Sequence, residues 1–303
     1  MSISIDTPEN VTKLKLSRIV EPRIGGTVNL SGFTNLKDIN VQGNFISGID
    51  FDYSNNQYEI INTFLNRVSG NIEDISNQSS LTLYNVSSND YTGEVSSLPD
   101  NLQTYNVSSN DLTGQAPVVS NCTNLVYYYI ARNNFTGEFP NLNSNTNLKF
   151  VSISENKFTG QLNDLSNMTS LEEMDTTDNN FTGEIPSFAT SAPNLKKVWV
   201  KKNDLTGSIP DITPNLNLSF LNCNQNNLTG WAGTSFTNNF INLYASDNDL
   251  SSDTVDAILA AFVTANNING KAFLGGSNAP ASSAGVASKS ILIGRGWSVF
   301  INE

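Results

Sequence analysis

The stretch from Leu195 to Pro210 reads LKKVWVKKNDLTGSIP and holds one full unit of a repeat that runs through most of the chain. The second half of the unit is Asn-x-(apolar)-(Ser/Thr)-Gly, and it recurs at spacings of 21 to 24 residues. This period predicts a solenoid in which each turn adds one short parallel strand and a return loop. The asparagines at the repeated position are Asn44, Asn66, Asn89, Asn110, Asn133, Asn156, Asn179, Asn203, Asn226 and Asn248.

The residue type at each position of the unit can be explained physically. Leu195, Val198 and Val200 follow the apolar pattern of a strand with one face inward, while their neighbours face solvent on the concave sheet. The asparagine turns the chain inward, where its amide is predicted to bond backbone groups of adjacent coils. The glycine behind it allows a tight bend. We expect these asparagines to form a structural ladder.

The second half of the unit, as in Asn179–Pro186 (NNFTGEIP) and Asn203–Pro210 (NDLTGSIP), resembles N-x-L-x-G-x-I-P, the signature of plant-type leucine-rich repeats. The similarity covers roughly residues 11–250. It implies an α/β-type but mostly β repeat, a right-handed solenoid with a parallel concave sheet of about ten to eleven coils. A helix-strand segment is expected to cap its C-terminal end.

The pattern divides the chain into three segments. Residues 1–35 are predicted to be an N-terminal cap with a degenerate first coil at Val11–Leu16, residues 36–250 the repeat solenoid, and residues 251–303 the C-terminal cap. In that cap, Ser252-Asp253 is expected to begin a helix, and strands are expected near 271–274 and 294–300 with a second short helix between them. The apolar face of the first helix is Val255, Ile258, Leu259, Phe262 and Val263.

The C-terminal segment also resembles the ending of leucine-rich repeat proteins of tailed bacteriophages and some aquatic bacteria. The residues that carry the similarity are Ser246–Ser251 (SDNDLS), Gly275–Pro280 (GGSNAP) and Ile293–Trp297 (IGRGW). This resemblance implies a structural protein or fibre of a virion.

The composition limits the classes of partner that the chain is expected to bind. The formal net charge of −12 argues against nucleic-acid binding, which depends on clustered Lys and Arg. The N-terminus lacks the features of a secretory signal, and no apolar run is long enough to cross a bilayer, so no membrane insertion is expected. If Met1 is the native start, the chain is expected to stay in the host cytoplasm where it is made. It would then reach the outside of the cell as part of an assembled virion released by lysis. A cell-surface or extracellular location is the alternative.

Two cysteines, Cys122 and Cys223, are predicted to be small buried hydrophobic residues rather than a disulfide. The disulfide-bonded caps of secreted plant-type members are absent from the sequence, which weakens a secreted-receptor interpretation.

The candidate binding surface is the concave face, since inward positions form the core. Outward residues lie six, four and two positions before each ladder asparagine, and most are Asn, Ser or Thr. The exceptions are Tyr127, Tyr129, Phe150, Glu173, Asp175, Lys197, Trp199, Lys201, Phe220 and Tyr244. Exposed aromatic rings beside amides suit a protein partner or a sugar. Glu173 with Lys197 and Asp175 with Lys201 also fit simple cross-strand ion pairs.

Catalysis has little support. The chain contains no histidine, so imidazole acid-base chemistry and His-ligated zinc are excluded. Glu173 and Asp175 could form a glycosidase pair, but nothing in the pattern buries them. Asp175, Asp178, Asp247 and Asp249 could bind calcium, but their spacing is not that of an EF-hand loop. We expect no enzyme activity, no cofactor and no metal.

Three functional hypotheses follow. In the first, the chain is a phage fibre or capsid-attached decoration protein that binds a protein or a bacterial surface polysaccharide, with its N-terminal coils docked on other virion proteins. In the second, it is a bacterial surface or secreted recognition protein. In the third and least favoured, it is a carbohydrate-active enzyme. The sequence also allows a homo-oligomer.

Overall fold

The computed structural model describes residues 10–16, 23–52, 57–162, 165, 167–188 and 192–303. The expectations for residues 1–9 and 17–22 of the N-terminal cap lie outside these residues. The structure divides into two compact units, Met1–Asn156 and Lys157–Glu303. The three-segment division, with boundaries after residues 35 and 250, stays a prediction.

The described part of the first unit is built from short β-strands. The odd-numbered strands form one parallel sheet in chain order. Strands β6, β8 and β10 form a second parallel sheet, and β2 pairs with β4. The strands are β1 Lys13–Lys15, β2 Gly25–Asn29, β3 Asp38–Asn40, β4 Phe45–Asp50, β5 Ile60–Asn62, β6 Ser69–Asn71, β7 Leu83–Asn85, β8 Asp90–Glu94, β9 Thr104–Asn106, β10 Asp111–Thr113, β11 Tyr127–Tyr129, β12 Thr136–Gly137 and β13 Phe150–Ser152.

The second unit repeats this plan and adds two helices. Its elements are β14 Lys157–Gln161, β15 Glu173–Asp175, β16 Asn180–Glu184, β17 Lys197–Trp199, β18 Asp204–Thr206, β19 Ser208–Ile209, β20 Phe220–Asn222, β21 Gly230–Trp231, β22 Asn242–Tyr244, α1 Ser252–Ala265, β23 Lys271–Phe273, α2 Ser283–Gly294 and β24 Ser298–Phe300. One parallel sheet has the order β15-β17-β20-β22-β23-β24. Strands β14, β16 and β18 form a second sheet, and β19 pairs with β21.

Strand alternation places the core as the sequence predicts. In β11, Tyr128 is fully buried, whereas Tyr127 is exposed and Tyr129 is half-buried. Tyr128 lies in register with Tyr105 on β9 and Val151 on β13, both also buried. Each unit is therefore a parallel β-solenoid of the leucine-rich repeat type, with equivalent residues stacked from coil to coil.

The ladder asparagines connect successive coils through their side-chain amides. Asn133 Nδ2 donates to Ile130 O in its own coil (3.2 Å) and to Val107 O in the preceding coil (3.0 Å), and its Oδ1 accepts from Leu112 N (3.0 Å). The same three kinds of bond recur at Asn44, Asn66, Asn89, Asn110, Asn156, Asn203, Asn226 and Asn248.

A bend that the sequence analysis did not predict lies one residue before these asparagines. Arg132 has a φ of 55°, in the left-handed region that costs an L-residue roughly 1–2 kcal/mol. Non-glycine residues take the same conformation throughout the repeat because the amide that follows fixes the turn. They are Leu65, Ser88, Ser109, Arg132, Glu155, Asp178, Lys202, Gln225 and Asp247.

The C-terminal segment forms the predicted helices and strands, with one change at its start. Ser251, rather than Ser252-Asp253, caps α1, and its hydroxyl accepts from Thr254 N (3.2 Å). Strands β23 and β24 extend the sheet of the second unit. Asn278 continues the asparagine ladder into the cap, since its Nδ2 donates to Ala245 O (2.8 Å) and its Oδ1 accepts from Leu250 N (3.1 Å).

Neither helix of the described part of the chain is long and apolar enough for a membrane span. The two cysteines are free and buried, as predicted.

We predict that Asn133→Ala lowers the free energy of unfolding by at least about 2 kcal/mol, because it leaves a buried N–H and two buried carbonyls without their partner. The matched control is Asn147→Ala, which removes a single exposed bond to Thr123 O (3.0 Å) and should cost under about 1 kcal/mol. Urea unfolding of both variants measures the difference. Equal losses would show that the buried amide is not the main connection between coils.

Two repeat glycines share a left-handed backbone conformation but differ in how closely the preceding coil packs against them. Gly114 has a φ of +80°, and a Cβ there would lie 2.7 Å from Glu94 Cγ of the preceding coil. Gly70 has a φ of +99°, but a Cβ there would meet no atom within 4 Å.

We therefore predict that Gly70→Ala costs about 1 kcal/mol, from backbone strain alone, and that Gly114→Ala costs about 1 kcal/mol more. Adding Glu94→Ala to Gly114→Ala should recover that extra loss, because the clash partner is gone. Thermal unfolding of the three variants tests this. A loss at Gly114 that Glu94→Ala does not reduce would contradict the packing explanation.

Candidate functional site: aromatic surfaces on the strand faces

Three of the predicted binding residues form a cluster on the first unit. Tyr127 and Phe150 occupy paired positions on β11 and β13, and their rings stack with centroids 5.2 Å apart and planes 6° apart. Tyr129 lies 6.1 Å from Tyr127 on the same strand. Tyr127 is the most open of the three, with 37% of its surface exposed. We call Tyr127, Tyr129 and Phe150 the first aromatic cluster.

A longer row of rings runs across the second unit. Phe220 lies 4.9 Å from Trp199 and 5.4 Å from Tyr244, so the three predicted residues are in contact. The row continues into the cap, where Phe273 lies 4.9 Å from Tyr244 and 6.5 Å from Phe300. We call Trp199, Phe220, Tyr244, Phe273 and Phe300 the aromatic stripe. Its members come from five consecutive strands of one sheet.

Sequence reasoning missed Phe273 and Phe300. In the repeat, outward residues lie two, four and six positions before a ladder asparagine. Phe273 does not follow this rule, because it lies five residues before Asn278. The predicted strands at 271–274 and 294–300 could have identified both residues as members of the same row. In the structure Phe273 pairs in register with Tyr244, and Phe300 pairs with Phe273.

The charged residues on this face form one of the two predicted ion pairs. Lys197 Nζ lies 2.9 Å from Glu173 Oε1, on paired positions of β15 and β17. Both side chains are about a third or more exposed, so the pair contributes under about 1 kcal/mol.

The second predicted pair, Asp175 with Lys201, is wrong. Asp175 accepts instead from Thr177 N (2.9 Å), because the register places Trp199 opposite it. The neighbouring ion pair joins Lys202 Nζ to Asp178 Oδ2 (2.6 Å).

The carboxylates are therefore held by structural partners. Glu173 bonds to Lys197 and Asp175 to its own turn, which does not suit a glycosidase pair. Within the described ranges, no three His, Cys, Asp or Glu side chains form a group that could hold a metal ion.

The cysteines and tyrosines with raised pKa values lie in the core. Burial, followed by the charge of Asp100, raises the pKa of Cys122 to about 11, and burial raises that of Cys223 to about 12. Burial also raises the pKa values of Tyr105 and Tyr128. These side chains stay neutral near pH 7 and serve packing, since a reactive thiol needs a lowered pKa and access to solvent.

None of the stripe residues lines either of two surface hollows of about 500 Å³. One, on the first unit, is lined by residues 115–120 and 136–141, with Glu138 as its titratable group. The other lies between Trp231 and helix α1, with Asp253 as its titratable group. A single carboxylate in each gives no acid-base pair.

The strands and the asparagine ladder define a leucine-rich repeat solenoid. Comparison of the sequence with protein-family models and with curated proteins gives no match. Solved structures match instead. The ectodomain of the Arabidopsis thaliana receptor kinase GASSHO1/SCHENGEN3, in complex with CASPARIAN STRIP INTEGRITY FACTOR 2, is 21% identical with a TM-score of 0.74, covering 93% of this chain and 34% of the receptor chain.

Two further structures show the same fold. The ectodomain of the Arabidopsis receptor kinase HAESA, in complex with an IDA peptide hormone, is 25% identical with a TM-score of 0.68, over 84% of this chain and 44% of the receptor chain. A leucine-rich repeat protein of Leptospira interrogans is 16% identical with a TM-score of 0.62, over 90% of this chain and 74% of its own. The chain spans between a third and a half of the length of the two receptor chains.

Proposed function

We propose that this chain is a non-enzymatic recognition protein that binds a protein partner on the strand face of its second unit. The observation that carries the proposal is the aromatic stripe. Five rings from neighbouring strands touch one another and keep part of their surface open, and Phe300 is 53% exposed.

The chemistry of the stripe favours a protein ligand. Trp and Tyr, present here as Trp199 and Tyr244, are enriched together with Arg at the energetic centres of protein interfaces, and the three Phe rings add apolar contact area. Two of the similar plant structures hold a peptide hormone or an integrity factor, which supports a peptide or protein ligand here as well. The first aromatic cluster is a second, smaller candidate contact.

A random peptide library selected on the immobilised protein tests this function. We predict that enriched peptides bind Trp199→Ala and Phe273→Ala about tenfold or more weakly than the native protein, because each substitution removes a ring from the stripe. Ile268→Ala is the control, since Ile268 is an exposed apolar residue of the same unit (62%) outside the stripe. Melting temperatures confirm that the variants are folded.

Peptides that keep their affinity for both stripe variants would contradict the proposed surface. Binding of bacterial surface polysaccharide, in place of any peptide, would show that the rings stack on sugars. Tyr129→Ala, assayed in parallel, measures the contribution of the first aromatic cluster.

We also propose a location for this recognition protein in a phage virion, as a fibre or a capsid-attached decoration protein docked on other virion proteins through its N-terminal coils. The resemblance of Ser246–Ser251, Gly275–Pro280 and Ile293–Trp297 to the ending of phage repeat proteins supports it. The second candidate is a bacterial surface or secreted protein, supported by the bacterial origin of one similar structure.

Mass spectrometry of purified particles separates the two locations. We predict that the chain is present in stoichiometric amount with the other structural proteins. Its absence from particles, together with its presence in the host cell envelope fraction, would favour the second candidate.

A further inference from the structure

The five strands that carry the stripe have a charge opposite in sign to that of the whole chain. The protein has 28 acidic and 16 basic residues and a net charge of −12. The five strands β17, β20, β22, β23 and β24 contain no Asp or Glu. They carry Lys197 and Lys271, and Lys201 follows two residues after Trp199.

Two of these lysines have no ionic partner. Lys201 and Lys271 form no ion pair with any residue that the structure describes, whereas Lys197 is bonded to Glu173. Lys271 is exposed and shares β23 with Phe273. Lys197 also lies 6.0 Å from the Trp199 ring centroid, near the outer limit of a cation-π contact.

We infer that the partner bound by the stripe is an acidic, extended peptide segment, whose apolar side chains pack on the rings while its carboxylates reach Lys271 and Lys201. This inference rests on the proposed function. Complementary charge selects the partner and speeds its association, and unpaired lysines beside apolar rings supply that charge. The stripe supplies the contact area.

The carboxylates of the second unit mark the limits of this surface. Glu173 and Asp175 lie on β15, the strand next to β17, and repel an acidic segment there. Asp247 and Asp249 lie beyond the strands, in the turn that follows Ser246. On the β15 side, the surface open to an acidic segment therefore begins at β17.

The geometry sets the length of the segment. Five parallel strands at a spacing of about 4.8 Å span about 19 Å. An extended chain advances about 3.3 Å per residue, so about six residues cross the stripe. A segment that crosses the strands can use only side-chain contacts, since the backbone groups of the inner strands are already paired within the sheet.

Three fluorescein-labelled peptides of twelve residues test the inference. All alternate a variable residue with Leu, and the variable residue is Asp in the first, Asn in the second and Lys in the third. Fluorescence anisotropy at low salt should show the Asp peptide binding about tenfold more tightly than the Asn peptide, with the Lys peptide weakest. Raising the salt should remove most of that preference.

Charge reversal provides the matched comparison. Lys271→Glu should weaken the Asp peptide about tenfold, leave the Asn peptide nearly unchanged and strengthen the Lys peptide. The control is Lys157→Glu, which makes the same change in net charge on an exposed residue of the same unit but on β14, in the other sheet. It should leave the order of the three peptides unchanged.

The outcomes separate the two levels of the proposal. If the Asp and Asn peptides bind equally and both are lost in Trp199→Ala, the stripe binds peptides but the acidic preference is overturned. If the Lys peptide binds best, or if Lys271→Glu and Lys157→Glu act alike, the inference is also overturned. If no peptide of this set or of the random library binds, the proposed function itself fails.

Discussion

A buried side-chain amide that bonds to two successive coils is the interaction on which the rest of this structure depends. Asn226 donates to Cys223 O of its own coil and to Val200 O of the preceding one, and it accepts from Leu205 N. Backbone groups at these turns cannot pair within one short strand, and leaving them unpaired in the interior would cost about 1–3 kcal/mol each. One amide per coil satisfies them and fixes the register, so that equivalent residues stack along the whole sheet.

Stacking in register has a direct consequence for function. Because inward positions repeat from coil to coil, they are occupied by the core, and variation is confined to the outward positions of the strands. Side chains outside the main sheet of each unit also serve the structure, since the exposed hydroxyls of Thr136, Thr182 and Thr206 donate to backbone carbonyls of the preceding coil. Lys271 and Phe300, in contrast, lie at outward positions of β23 and β24 and are exposed.

The fold could be predicted well from the sequence because the same physical requirements recur in every unit of the repeat. The asparagine ladder, the inward strand residues and the α1 face at Val255 and Phe262 all follow from period and polarity. Prediction failed where the period changed. Asn278 follows Asn248 by 30 residues rather than the 21 to 24 of the repeat, which hid its place in the ladder. Phe273 lies five rather than four residues before Asn278, which hid its outward position.

The candidate site was harder to predict for a different reason. Periodicity predicts the face of the sheet on which a side chain lies. It does not predict which neighbouring group the side chain bonds to. Asp175 was expected to pair with Lys201, yet cross-strand register places it opposite Trp199, and the local turn at Thr177 takes its carboxylate. Exposed ion pairs differ by only a few tenths of a kcal/mol, so small differences in geometry decide among them.

The composition of the C-terminal cap bears on the extent of the proposed recognition surface. A terminal cap that serves only to close a solenoid needs a polar outer face for solubility. Here β23 and β24 instead place Phe273 and Phe300 in line with the rings of the repeats, and Phe300 keeps half of its surface open. Burying a Phe side chain against a partner contributes about 2 kcal/mol to the free energy of binding. The part of the ring that stays in water does not stabilise the isolated chain. Under the proposed function, the rings of the cap therefore enlarge the candidate recognition surface that the repeats present.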